Sequence, residues 1–89
     1  MKEITVSIKN KLGIHARPAG QLVKLASKFK SDIQMAKNST TVNAKSIMGV
    51  LMLEAGYGSQ ILVRAEGPDE EQALQELEEL IVNRQFDEE

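Results

Sequence analysis

The 89-residue chain holds a single histidine, His15, within Lys11-Leu12-Gly13-Ile14-His15-Ala16-Arg17-Pro18-Ala19, where a loop passes into a predicted helix. A lone histidine is usually a surface or packing residue, so its neighbours decide the reading. A helix N-terminus leaves backbone N–H groups without intrahelical acceptors and carries partial positive charge, which makes it an anion site. Arg17 adds a permanent cation whose planar donor fork suits phosphate oxygens. Gly13 gives the approach loop access to unusual backbone angles, and Pro18 stiffens the first turn while leaving neighbouring amides available. Imidazole is partly unprotonated and nucleophilic near neutral pH, and a phosphorylated imidazole is a good leaving group once protonated. The chemistry expected is a phosphoryl group held on His15 against the helix start at Ala16, Arg17 and Pro18. It would be passed on through a loose, in-line transition state. Catalytic help can come from partner enzymes, so no cofactor is expected. Metal coordination fails on ligand count, with no second histidine, no cysteine and no carboxylate at an obvious ligand spacing.

The elements that must position His15 are legible in the hydrophobic pattern. Ile4, Val6 and Ile8 alternate with Thr5 and Ser7, the period of a strand with one buried face. Ala19, Leu22, Val23, Ala26 and Phe29 recur at spacings of three and four, which predicts a helix from about Ala16 with Pro18 in its first turn. Ile33 and Met35 mark a second strand. Asn38-Ser39 supplies turn chemistry, and Thr40-Thr41-Val42 returns as a third, making a hairpin. Ser46 is a suitable N-cap for a short apolar helix over 47–53, which Gly49 weakens by about 1 kcal/mol relative to Ala. Gly56-Tyr57-Gly58 reads as a loop, Ile61, Val63 and Ala65 as a fourth strand, and Gly67-Pro68 as its end. Asp69 is expected to cap a last helix, with Gln72 completing a capping box and Leu74, Leu77 and Ile81 forming the buried stripe. Asp87-Glu88-Glu89 reads as a frayed tail. Strand, helix, strand, strand, helix, strand, helix with short connections predicts an α+β fold, a mainly antiparallel sheet with its helices on one face.

Eighty-nine residues allow one small domain, 1–89, and make a deep substrate cavity improbable. No cysteine is present, which suits a reducing compartment. The alternating N-terminus lacks the apolar run of a signal peptide or membrane span, so a cytoplasmic protein without membrane insertion is expected. Residues 1–45 carry nine Lys or Arg against two acids, and residues 46–89 two against eleven. Such asymmetry either steers an acidic partner to one face or solvates two surfaces. The strand and helix order also suggests an RNA-recognition domain, but that function needs aromatic platforms on the central strands. Residues 32–42 and 60–66 contain no aromatic residue, so no direct nucleic-acid contact is expected.

Gly13-Ile14-His15-Ala16-Arg17-Pro18-Ala19 resembles the active-site signature of the histidine-containing phosphocarrier (HPr) family of the bacterial phosphoenolpyruvate-dependent sugar phosphotransferase system. Thr41-Val42-Asn43-Ala44-Lys45-Ser46-Ile47-Met48-Gly49-Val50 is similar to the family's second signature, and the likeness covers essentially the whole chain. It implies an open-faced β-sandwich, a four-stranded antiparallel sheet covered on one side by three helices. It also implies that His15 accepts phosphate on Nδ1 from phosphorylated enzyme I and passes it to IIA components of sugar permeases, with Arg17 assisting. A monomer is expected. The nearest alternative is a regulation-only or nitrogen-related member of the family, against which the retained histidine argues.

Ser46 has a second meaning under the resemblance. It matches the site of the ATP-dependent HPr kinase/phosphorylase of low-GC Gram-positive bacteria, whose phosphoserine product joins catabolite control protein A as corepressor. A phosphate of about −1.5 to −2 charges is tolerated at a helix start, so the fold would survive while the surface potential changes. Ile47, Met48, Leu51 and Met52 are read as an exposed apolar docking patch beside His15, with Lys24 as a further docking residue and Val50 and Leu53 as core. Gly20 stands where the family commonly has a larger residue and is expected to loosen the first helix. Leu51-Met52 departs from the family's more familiar Met-Ser pair.

Overall fold

A computed structural model describes residues 1–87. Its elements are β1 (Lys2–Ser7), α1 (Ala16–Ala26), β2 (Asp32–Lys37), β3 (Thr40–Asn43), α2 (Ile47–Met52), β4 (Gln60–Glu66) and α3 (Glu70–Glu78), followed by one π turn (Glu79–Asn83) and a final turn at Gln85–Asp87. The four strands form one antiparallel sheet in the order β1-β4-β2-β3. Chain neighbours β2 and β3 pair as the expected hairpin, with Asn38 at φ 55° in its turn. The first strand pairs with the last, Lys2 opposite Ala65 and Ser7 opposite Gln60.

Alternation along the strands sends Val6, Ile33, Met35, Ile61 and Val63 to one face, where they are buried beneath the helices. Leu22 and Ala26 of α1, Val50 of α2, and Leu74 and Leu77 of α3 close over them. Burial of these apolar surfaces is the dominant favourable term in the fold. The opposite face is polar, with Arg64 Nε donating to Glu3 Oε2 at 2.9 Å. The result is the expected open-faced sandwich, a four-stranded sheet covered on one side by three helices. Among the described residues, no helix is long and apolar enough to cross a membrane.

Several local expectations are corrected. Asp69 stands at the N-cap of α3, but its carboxylate does not cap that helix. It accepts instead from the amides of Lys30 (2.9 Å) and Ser31 (3.0 Å) and from the Ser31 hydroxyl, tying the end of the α1–β2 loop to α3. Gln72 does not complete a capping box either; its amide donates to Glu76, while Glu70 Oε1 accepts from the Gly67 amide at 3.1 Å. Phe29 is buried but lies beyond the end of α1, and Leu53 is the C-cap of α2. α1 runs unbroken through Gly20.

The expected tail is also altered. The Arg84 amide donates to the Glu79 carbonyl at 2.8 Å, the five-residue step of a π turn. Gln85, Phe86 and Asp87 then all adopt left-handed backbone, which buries Phe86 completely and pairs Asp87 with Arg84 at 2.5 Å. Asp87 is therefore held in place; Glu88 and Glu89 lie outside the described residues.

Candidate functional site

The loop between β1 and α1 is built from the inside. The Ile8 amide donates to Ser59 (2.9 Å) and the Gly58 amide to Ile8 (2.8 Å), fixing the end of β1 against the loop before β4. Asn10 is fully buried; its Nδ2 donates to the Gly13 carbonyl at 2.7 Å, and its own carbonyl accepts from the Gly13 amide at 3.1 Å. Gly13 has φ 69°, and a Cβ there would lie 2.4 Å from the Ala55 carbonyl oxygen. Both the left-handed backbone and the close approach therefore require glycine. Ile14, buried, donates its amide to the same Ala55 carbonyl at 2.8 Å and anchors the loop.

His15 follows as the N-cap of α1, in extended backbone at φ −94° and ψ −168°. Its carbonyl accepts the first helical bond from Ala19 at 2.9 Å, and its amide donates to Gly13 at 3.2 Å. The imidazole takes no part in capping the helix. Ala16 and Arg17 are exposed, and their amides precede any helical acceptor; Pro18, buried, has no amide to satisfy. The half-buried His15 thus stands at a helix start that offers two backbone N–H groups, with Arg17 as the second residue of the helix. That arrangement suits a nucleophile whose product is an anion.

Ser46 is exposed at the N-cap of α2, its Oγ accepting from the Gly49 amide at 3.2 Å, as the sequence predicts. α2 packs against α1, so the helix that begins at His15 and the one that begins at Ser46 lie side by side. Ile47, Met48 and Met52 are 43%, 68% and 66% exposed, which leaves an apolar surface on α2. Leu51 departs from the expected patch because it is half-buried and packs against the core. Val50 and Leu53 are core, as expected, and Lys24 is exposed on α1.

Two residues near the site were not signalled by the sequence reading. Asn10 gives no pattern in the chain, since its role depends on the loop closing over it. Asp87 lies past the last helix; hydrogen bonding to Arg84 holds its carboxyl below the usual carboxylate range, partial desolvation opposes this, and the charge of Arg17 adds to the lowering. The C-terminal turn therefore reaches into the field of Arg17.

Residues 2–83 match the family model described as the PTS HPr component phosphorylation site. The chain belongs to the HPr family. The phosphocarrier protein HPr of Cupriavidus necator is 48% identical over 84 residues, 94% of each chain. The crystal structure of HPr-C-His from Thermoanaerobacter tengcongensis is 50% identical and superposes with a TM-score of 0.95, covering 100% of this chain and 99% of that one. A second structure, described as an HPr dimer from the same organism, is 49% identical with a TM-score of 0.76 over 96% and 98% of the two chains. HPr proteins are phosphocarriers of the phosphotransferase system, and the histidine in the matched signature stands here at the start of α1.

Proposed function

We propose that residues 1–89 act as one phosphocarrier domain in which His15 takes a phosphoryl group from phosphorylated enzyme I and delivers it to IIA components of sugar permeases. The observation that carries this reading is the position of His15 as N-cap of α1, directly before the Ala16 and Arg17 amides, with Arg17 in the first turn of the same helix. In the first transfer the Nδ1 lone pair of His15 forms a bond to phosphorus as the donor's bond to phosphorus breaks. In the second, that N–P bond breaks toward the nucleophile of the acceptor. The helix start and Arg17 balance charge on the equatorial oxygens throughout. Ile47, Met48 and Met52 with Lys24 form the docking surface, in which methionine adapts to more than one partner. The protein works as a cytoplasmic monomer.

The test incubates the protein with enzyme I and labelled phosphoenolpyruvate. An acid-labile, base-stable label is expected on the wild type and is absent from His15→Ala; a label that persists in the variant overturns the assignment.

Ser46 is proposed as a regulatory site for an ATP-dependent HPr kinase/phosphorylase, with the phosphoserine form binding catabolite control protein A. Its exposed hydroxyl at the start of a helix beside α1 supports this, because added negative charge there alters the docking face without opposing the helix. An acid-stable phosphate on Ser46 is expected with a competent kinase and ATP; its absence leaves Ser46 as a helix cap alone.

A further inference from the structure

We propose that Asn10 is a positioning residue for phosphoryl transfer, its carboxamide fixing the Gly13 peptide and with it the direction in which the loop presents His15. The proposal rests on the carrier reading above. Its basis is a chain of contacts that ends at the nucleophile. Asn10 Nδ2 donates at 2.7 Å to the Gly13 carbonyl, and that same carbonyl accepts the His15 amide at 3.2 Å. The Gly13 amide returns to the Asn10 carbonyl at 3.1 Å. The two peptide groups flanking Gly13 are thus both held by Asn10, and the second of them is shared with the residue that carries the chemistry.

Packing alone does not account for an asparagine here. The side chain is fully buried, where a carboxamide is disfavoured unless hydrogen-bonded and an apolar residue of similar volume fills space at no such cost. The other residue flanking the peptide, Gly13, has φ 69° and no side chain to lock it. Without the Nδ2 donor, the Gly13 carbonyl keeps only the longer contact from the His15 amide, and the Gly13–Ile14 peptide is held from its N–H side alone, by Ala55. Ile14 still anchors the loop through Ala55, so His15 stays at the helix start but is no longer held in one orientation. Transfer chemistry is sensitive to such changes, because a misplacement of about 1 Å can lower a rate by about a hundredfold. The docking residues on α1 and α2 are untouched, so partner affinity should not change.

The test measures kcat and KM of enzyme I for Asn10→Ala, with Ser31→Ala as a control for stability. Ser31 is also buried and polar but lies in the cluster around Asp69, away from the loop. Asn10→Ala is expected to lower kcat roughly ten- to hundredfold with KM within about twofold of wild type. Ser31→Ala is expected to keep kcat while losing stability. A kcat for Asn10→Ala within twofold of wild type, or a loss that Ser31→Ala shares at equal stability, overturns the proposal. If Asn10→Ala does not fold at the assay temperature, Asn10→Ser, which leaves a smaller void and keeps a hydroxyl donor, carries the same comparison. Amide hydrogen exchange separates the two readings. If wild type takes no phosphate from enzyme I, the carrier reading falls. The fixing of the loop by Asn10 is read separately, from faster exchange at the Gly13 and His15 amides in the variant, and unchanged exchange at both overturns it.

Discussion

Asp69 makes a contribution to stability that depends on pH. The Ser31 hydroxyl and the Lys30 and Ser31 amides donate to its carboxylate and lower its pKa from 3.8 to about 2. Because the folded value lies below the unfolded one, protons bind the unfolded chain more readily in this range. The stabilisation is complete above the unfolded value and is lost as pH falls through the folded one. Melting curves followed by circular dichroism should show wild type losing Tm between about pH 4 and pH 2. Asp69→Asn, which has no such proton to bind, should lose less over the same interval, and parallel slopes for the two would refute this account. The same residue marks a limit of sequence reading. Asp69 followed by Gln72 matches a capping pattern, but the donors that capture its side chain lie 38 and 39 residues away. His15, Arg17 and Ser46 were legible because their settings are local: a glycine, a proline and a helix start within a few positions. Asn10 was not, because its importance lies in a burial that only the folded loop creates.

At the scale of elements, periodicity located β1, β2, β4, α1 and α3, each of which buries one apolar face, while the Asn38-Ser39 turn and the Ser46 cap located β3 and α2. It failed where the backbone leaves those periods. The π turn after α3 and the left-handed turn that follows turn Phe86 inward, and neither has a signature in the chain. Phe86→Ala should cost about 3–5 kcal/mol, visible as a lower urea midpoint at constant slope. Such a loss is a large share of a small domain's stability of about 5–15 kcal/mol. Gly20 gives the opposite case. It lies inside α1, and a Cβ there meets nothing within 4 Å. Gly20→Ala should therefore stabilise the protein by about 1 kcal/mol, raising Tm by roughly 4–8 °C in calorimetry. An unchanged or lower Tm would mean that the helix uses the glycine in some other way.

Across the whole molecule, the division of charge between the two halves of the sequence becomes a gradient within one helical layer. Lys24 is exposed on α1 and Lys28 just beyond its end, whereas Glu71 and Glu78 are exposed on the neighbouring α3. The ion pairs Lys2–Glu71, Arg64–Glu3 and Arg84–Asp87 draw on acids elsewhere, and Arg17, Lys24 and Lys28 stay outside the ion pairs formed among the described residues. A cationic side next to the His15 helix should speed encounter with an acidic partner. The association rate with enzyme I, measured by stopped flow, should fall by about tenfold or more between roughly 0.05 and 0.5 M salt, as the screening length shortens. A rate independent of salt would leave the charge division with a solvating role only.

The sheet order has a consequence for how the chain reaches this state. Among the described residues, residues 2–7 pair only with residues 60–65. During synthesis the first strand emerges long before its sole partner, while the β2–β3 hairpin can close at once. Pairing across so long a separation carries a large loop-closure entropy and slows folding. The segment that carries His15 is attached to that first strand, so the loop around Asn10 and Gly13 takes its final form among the last parts of the molecule. On the carrier reading, competence for transfer is expected to arrive with completion of the sheet, not with formation of α1.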